Sequence, residues 1–265
     1  MNQRYIETET HHTDSNGVVA VVWLNRPERR NALNCGFVRE LHAAIEEINR
    51  NADIRVVVLM GKGSVFCAGA DLADEYAEDI HNAEELIEQL YKPLFTSIIT
   101  SNKIFIAGVT GAAVGAGASL ALACDITLMS EEAKLVFAFT SMALVPDCGA
   151  SWMLARHMGY KNAFRVIVEG QALDARQCLS SGLCNEIVGA DDIPAASLKL
   201  AAKMATRAPL AVRLAKQLLL DSTEKSFLEM ISAEAKAQRQ CESSADFQEA
   251  KSAFFEKRQP VFYGR

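Results

Sequence analysis

Residues 104–125 read IFIAGVTGAAVGAGASLALACD, and how this stretch divides decides the fold. From Ile104 to Cys124 no residue is charged. That length is enough for a membrane span to be weighed, and Gly111 and Gly115 have the spacing of a helix-dimer face. Gly108, Thr110, Gly111, Gly115 and Gly117 interrupt the run, so it divides into a strand over 103–109, a turn and a helix of small residues. The following DITLMS reads as another buried strand, and the membrane reading is set aside. Gly115-Ala116-Gly117 matches half of a dinucleotide fingerprint, but Leu120 holds the third glycine position, which argues against a Rossmann site.

Upstream the same alternation continues. VVAVVWL (18–24) and RVVVLMG (55–61) are β-branched runs of strand length, and FVRELHAAIEEINR (37–50) between them has apolar residues at helical spacing. A strand, a helix and a strand in succession predict a parallel pair and an α/β fold. A glycine-containing loop, GKGSVFCAGAD (61–71), an acidic stretch and a helix near 83–100 lead back to the opening segment. After about residue 195 only helical patterns remain, with Pro209 starting or kinking one of them. The expected organisation is a core over 1–195 and a helical oligomerisation region over 196–265.

Composition narrows the partners. With 50% hydrophobic and 23% charged residues the chain is an ordinary globular protein. Its net charge of −6, without a run of Lys or Arg, argues against nucleic acid or an anionic membrane as partner. The seven cysteines form no Cys-x-x-Cys pair and read as buried reduced thiols. His11 and His12 fall in a polar leader, and His42, His81 and His157 have no companion at ligand spacing, so no metal is expected. The N-terminal sequence MNQRYIETETHHTDSNG lacks the apolar core of a secretory signal, which predicts a cytoplasmic protein.

Two loops are candidates for chemistry: Phe66-Cys67-Ala68-Gly69-Ala70-Asp71-Leu72 and Gly111 through Ser119. Each follows a predicted strand and opens into a helix, where backbone N–H groups are free to meet a ligand oxygen. Two such donors on one carbonyl make an oxyanion hole; small residues there also allow a helix to lie close on a strand.

Together with LNRPERRNALN (24–34), ALVPDCGASWMLAR (143–156) and FFEKR (254–258), these loops resemble the crotonase family of enoyl-CoA hydratases and isomerases along essentially the whole chain. The resemblance implies a spiral of ββα turns with a C-terminal helical trimerisation region, assembled as a homotrimer or a dimer of trimers. It implies acyl-CoA thioesters as substrates, an enolate held by two backbone N–H groups, and no further cofactor. By position the donors would be Ala70 and Ala116. The family usually has glycine at the second, so the Ala116 methyl group would narrow the pocket. Ala68, Asp71 and Leu72 would receive the CoA adenine and its bent chain. Arg26, Phe254 and Lys257 match CoA-contacting positions, the last two often reaching a neighbouring subunit.

The resemblance also bears on the reaction. The two glutamates of the hydratases fall on Ser119 and Phe139, and neither side chain replaces a carboxylate. Asp147, in LVPDCGASW, matches the lone carboxylate of the isomerase branch, especially ring-processing isomerases of the phenylacetate pathway. Phe139, Met142, Val145 and Trp152 are expected to dry its surroundings and raise its pKa. On spacing alone Asp147 reads equally well as an N-cap of the following helix. A hydratase-like enzyme and a non-catalytic acyl-CoA binder are the alternatives. Dehalogenation is disfavoured, because Phe139 stands where a tryptophan is needed and His81 is the only histidine near the loop region. Tyr76 and Ile80 are expected to shape the acyl pocket.

Overall fold

The β-branched runs pair side by side because both their faces are buried. The computed structural model describes residues 4–13, 17–73, 77 and 79–265. In chain order it contains β1 (Ile6–His12), β2 (Val18–Leu24), α1 (Cys35–Arg50), β3 (Ile54–Gly61), α2 (Ala83–Leu86), a π-helical turn Ile87–Tyr91, α3 (Lys92–Ile99), β4 (Ile104–Val109), β5 (Ala112–Val114) and α4 (Ala116–Leu122). There follow β6 (Ile126–Ser130), β7 (Lys134–Val136), α5 (Ala150–Glu169), β8 (Ala172–Asp174), α6 (Ala175–Ser180), β9 (Glu186–Val188), α7 (Ile193–Ala205), α8 (Pro209–Asp221), α9 (Phe227–Glu242) and α10 (Ala245–Glu256). The larger sheet has the order β1-β2-β3-β4-β6-β9, and the smaller the order β5-β7-β8. From β2 to β9 the larger sheet is parallel throughout.

The two-residue period of the strands sorts side chains into two cores. Ala20, Val22, Leu24, Val57 and Leu59 face α1 and α4, while Val19, Val21, Val56, Val58 and Met60 face α7. Helix α1 buries Phe37, Val38, Leu41, Ile45 and Ile48 at helical spacing, and its first turn is capped by Asn34, whose side chain accepts from Phe37 N at 2.7 Å. At about 1.5–3 kcal/mol for each fully buried apolar side chain, this one face is a substantial part of the stability.

Two differences from the sequence reading have physical reasons. The part of the leader holding His11 and His12, Ile6–His12, is strand β1, antiparallel to β2 at the sheet edge; its outer residues are exposed, so a polar sequence suffices. Helix α7, which residues 195 and 196 divide, lies on the sheet as the cover of the second core. The helices that follow begin at Pro209. Helix α8 is fastened to the sheet by Lys216, whose Nζ donates to Ile98 O at 3.2 Å, Lys103 O at 3.3 Å and Asp125 Oδ2 at 2.9 Å. Six of the seven cysteines are buried and all are free thiols. No helix among the described residues is long and apolar enough to cross a membrane.

Candidate active site

Parallel strands β3 and β4 end side by side, and the loops after them are stitched together. Cys67 N donates to Ala112 O at 3.3 Å, and Val114 N to Cys67 O at 2.9 Å. On its other edge the first loop is held by Leu33, whose N donates to Gly69 O at 2.8 Å and whose O accepts from Asp71 N at 3.0 Å. Ala70 lies between these two bonds, and its own N–H has no acceptor among the described residues. Helix α4 starts at Ala116 without a side-chain cap, so its first N–H groups are open as well. A Cβ at Gly69 would lie 2.5 Å from Val114 O and 3.6 Å from Ala116 N. A Cβ at Gly117 would lie 2.5 Å from Cys67 O. Only glycine permits this approach, which brings the two N–H-bearing turns together.

Asn31 organises the first loop from beneath. It is fully buried, its Nδ2 lies 2.8–3.1 Å from Lys62 O, Val65 O and Phe66 O, and its Oδ1 accepts from Arg26 N at 2.9 Å. Arg26 itself pairs with Asp71 at 2.5 Å, both side chains nearly buried, and also donates to Ala32 O at 3.0 Å. The Arg26 guanidinium holds Asp71 below the ordinary carboxylate range. Arg26 therefore clamps the 68–72 loop, with its charge matched by Asp71. Leu72 and Ala70 are exposed and Ala68 is half-buried.

Asp147 does not cap α5. The helix begins at Ala150 with Gly149, in the left-handed region, as its N-cap, and no side chain caps it. The Asp147 backbone O accepts from Ala150 N, while its carboxyl Oδ1 is buried with no hydrogen-bond partner among the described residues. Burial raises the Asp147 pKa above the ordinary value, and the neighbouring Cys148 thiol offsets part of the rise. Burial also raises the Cys148 thiol, with the nearby Asp147 carboxylate adding to it. Ser119 joins this segment to the second loop: its Oγ lies 3.2 Å from Gly115 O and 3.4 Å from Asp147 O. Phe139 is buried, its ring 3.8 Å from where a Gly115 Cβ would stand, and so roofs the start of α4.

The expected drying residues divide. Phe139 is buried, but Met142, Val145 and Trp152 face outward, Val145 with 79% of its surface exposed. Trp152 instead stacks under the Arg156 guanidinium at 3.6 Å. The interior side is supplied by Tyr91, which sequence reasoning missed. It is buried, ends the π-helical turn, and packs its ring edge-on to Phe95 at 6.4 Å. Its phenol pKa is raised by burial first and then by the nearby Cys148, Cys67 and Asp147 groups. The nearest sequence signal, Tyr-Lys-Pro within a helical pattern, does not announce a π turn, a feature frequent at functional sites. An apolar cavity of about 290 Å³ opens between α3 and the start of α5, lined by Ile87, Phe95, Ile99 and Cys148.

The remaining candidates lie apart. Phe254 is exposed beside Phe255, and Lys257 ends α10 in the left-handed region. No hydrogen bond, ion pair or ring contact among the described residues joins either to the 67–72 loop. Ile80 is buried in the main core. Tyr76 lies outside the described residues.

Comparison with known families resolves what these paired loops belong to. The enoyl-CoA hydratase/isomerase family model matches residues 14–265. The chain belongs to this family. A 1,2-epoxyphenylacetyl-CoA isomerase of Escherichia coli is 34% identical over 250 residues, covering 93% of this chain and 95% of that protein. A probable enoyl-CoA hydratase of Rhodobacter capsulatus is 36% identical over 247 residues, covering 93% and 95%. The crystal structure of an enoyl-CoA hydratase from Polaromonas sp. JS666 superposes with a TM-score of 0.87 at 30% identity, covering 97% of this chain and 99% of that one. The crotonase fold and an enzyme acting on acyl-CoA thioesters follow from this membership.

Proposed function

We propose that this enzyme is an acyl-CoA isomerase in which Asp147 is the single acid/base and the N–H groups of Ala70 and Ala116 hold the thioester oxygen. One observation carries the reading: a buried carboxyl oxygen without a partner belongs to a segment joined through Ser119 to the start of α4, one of the two adjacent turns whose N–H groups are open. With a 3-enoyl-CoA, Asp147 removes a proton from C2. The electrons move into a dienolate whose negative oxygen the two N–H groups stabilise, and the same carboxylic acid returns the proton at C4. A raised pKa suits both halves, since the group must accept and then donate. Ring-containing substrates are supported by the likeness to the epoxyphenylacetyl-CoA isomerase.

In this reading Ala68, Asp71 and Leu72 border the CoA chain, with Arg26 holding that loop in shape, and no cofactor takes part. Phe254 and Lys257 contribute to CoA binding from a neighbouring subunit. The exposed Leu219, Phe227, Leu228, Phe254 and Phe255 of the C-terminal helices supply the apolar surface of a trimer. The relatives described as hydratases support a second reading, hydration by a different route. Purified protein given 3-enoyl-CoA should form 2-enoyl-CoA, and Asp147→Asn should abolish this while still binding CoA esters. A wild-type rate in the variant sinks the proposal, and hydration of crotonyl-CoA well above background favours the second reading.

A further inference from the structure

The opposite end of the central strands holds a cavity that the isomerase chemistry does not use. It has a volume of about 310 Å³, at the small end of ligand sites, and lies among the end of α1, the first residues of β3 and β4, and the start of α8. Five cationic residues line it: Arg50, Arg55, Lys103, Arg207 and Arg213. No carboxylate among the described residues does so. In a chain of net charge −6 this is a marked local excess. Two of the five are engaged. Arg55 donates to Ala205 O at 2.9 Å and Phe262 O at 2.5 Å, and Lys103 donates to Asn51 O at 2.6 Å. Asp53 faces both of these cations and Asp246 faces Arg55, while Asp246 itself accepts from Tyr263 N and Gly264 N at 2.8 Å. The side chains of Arg50, Arg207 and Arg213 have no hydrogen-bond or ion-pair partner among the described residues.

A second observation converges on the same space. Helix α8, 13 residues long, begins at the cavity with Pro209 and Leu210, and no side chain caps it, so its positive end adds to the arginines. Three unpaired guanidinium groups ask for more negative charge than one carboxylate carries, and their planar donor forks fit phosphate oxygens. The start of β3 and the loop after its end are separated by roughly 23 Å at about 3.3 Å per residue, so the cavity and the oxyanion loops lie at opposite ends of the same strand. We infer that the cavity bounded by Arg50, Arg207, Arg213 and the start of α8 binds a small diphosphate-bearing anion, at a site separate from the oxyanion loops.

Calorimetric titration of the intact protein with inorganic pyrophosphate at low salt tests this, with the Arg207→Gln/Arg213→Gln double variant as control. Wild type should bind pyrophosphate, more weakly as salt rises. The double variant should lose at least about tenfold in affinity, since each charge-assisted contact is worth about that factor, while its acyl-CoA turnover stays unchanged. An ADP titration separates two sources of the same chemistry: tighter binding than pyrophosphate supports a nucleoside diphosphate, and equal binding supports a free diphosphate. The inference is overturned if millimolar pyrophosphate produces no binding, if binding is unaltered in the double variant, or if the double variant loses acyl-CoA turnover together with pyrophosphate binding. It is also overturned if the double variant changes oligomeric mass while wild type binds no pyrophosphate, which assigns the arginines to a subunit contact.

Discussion

An aspartate lies near each end of helix α4, and the two are held in opposite ways. Beyond its C-terminal end, Asp125 accepts from Phe105 N at 2.8 Å and from Lys216 Nζ at 2.9 Å. Near its N-terminal end, Asp147 leaves a buried Oδ1 without a partner. Burial raises the pKa of both, and Lys216 counters it at Asp125. A satisfied carboxylate fixes structure, here α8 against the sheet. One with a buried oxygen left unpaired carries a desolvation cost that a ligand or a proton relieves. The contrast sets a structural aspartate apart from the one proposed to be catalytic, where sequence spacing alone could not.

The largest expected effect breaks the contrast at the Asp147 end. Asp147→Asn should lower kcat for 3-enoyl-CoA isomerisation by about 10²–10⁴-fold, the range for loss of a general acid/base, measured by product formation at saturating substrate. Next, Ala116→Pro removes one donor N–H at the first helical position, where proline is tolerated. It should cost about 10²–10³-fold in kcat while circular dichroism stays native. At the other end, Lys216→Ala removes the three hydrogen bonds of the ammonium group and should destabilise the fold by roughly 1–3 kcal/mol in denaturant titration, without moving the catalytic pH profile.

The smallest effects concern pH. Asp147 must be ionised to accept the C2 proton, and its folded pKa is raised, so kcat/KM should fall on acidification at a pH above the usual carboxylate range. The same shift has an opposite sign for stability. The folded state binds the Asp147 proton more tightly than the unfolded state, so this group costs stability as pH rises through its raised pKa. Asp147→Asn should therefore melt slightly higher than wild type at neutral pH and equally at low pH. A lower melting temperature in the variant would count against an unpaired carboxylate.

Much of this was legible before any coordinates. The β-branched runs at 18–24 and 55–61 and the small-residue stretch at 104–125 contain the parallel sheet and the two loops, because strand period and glycine spacing are local properties. Strand β1 was hidden because an edge strand needs little apolar patterning. Asn31 and Tyr91 were hidden because their roles are set by distant partners: backbone carbonyls of residues 62–66 for one, Asp147 and Cys148 for the other. Met142, Val145 and Trp152 adjoin Asp147 in sequence yet point outward, since the turn at Ala143, Cys148 and Gly149, all at positive φ, directs the chain away from simple alternation.

The central claim is that Asp147 moves the proton at C2. The direct measurement is the loss of deuterium from C2 of a 2-deuterated 3-enoyl-CoA, followed by mass spectrometry with wild type and Asp147→Asn at equal occupancy. The account predicts rapid loss to solvent or transfer to C4 in wild type, and retention in a variant that still binds the ester. Exchange at the wild-type rate in Asp147→Asn would contradict it.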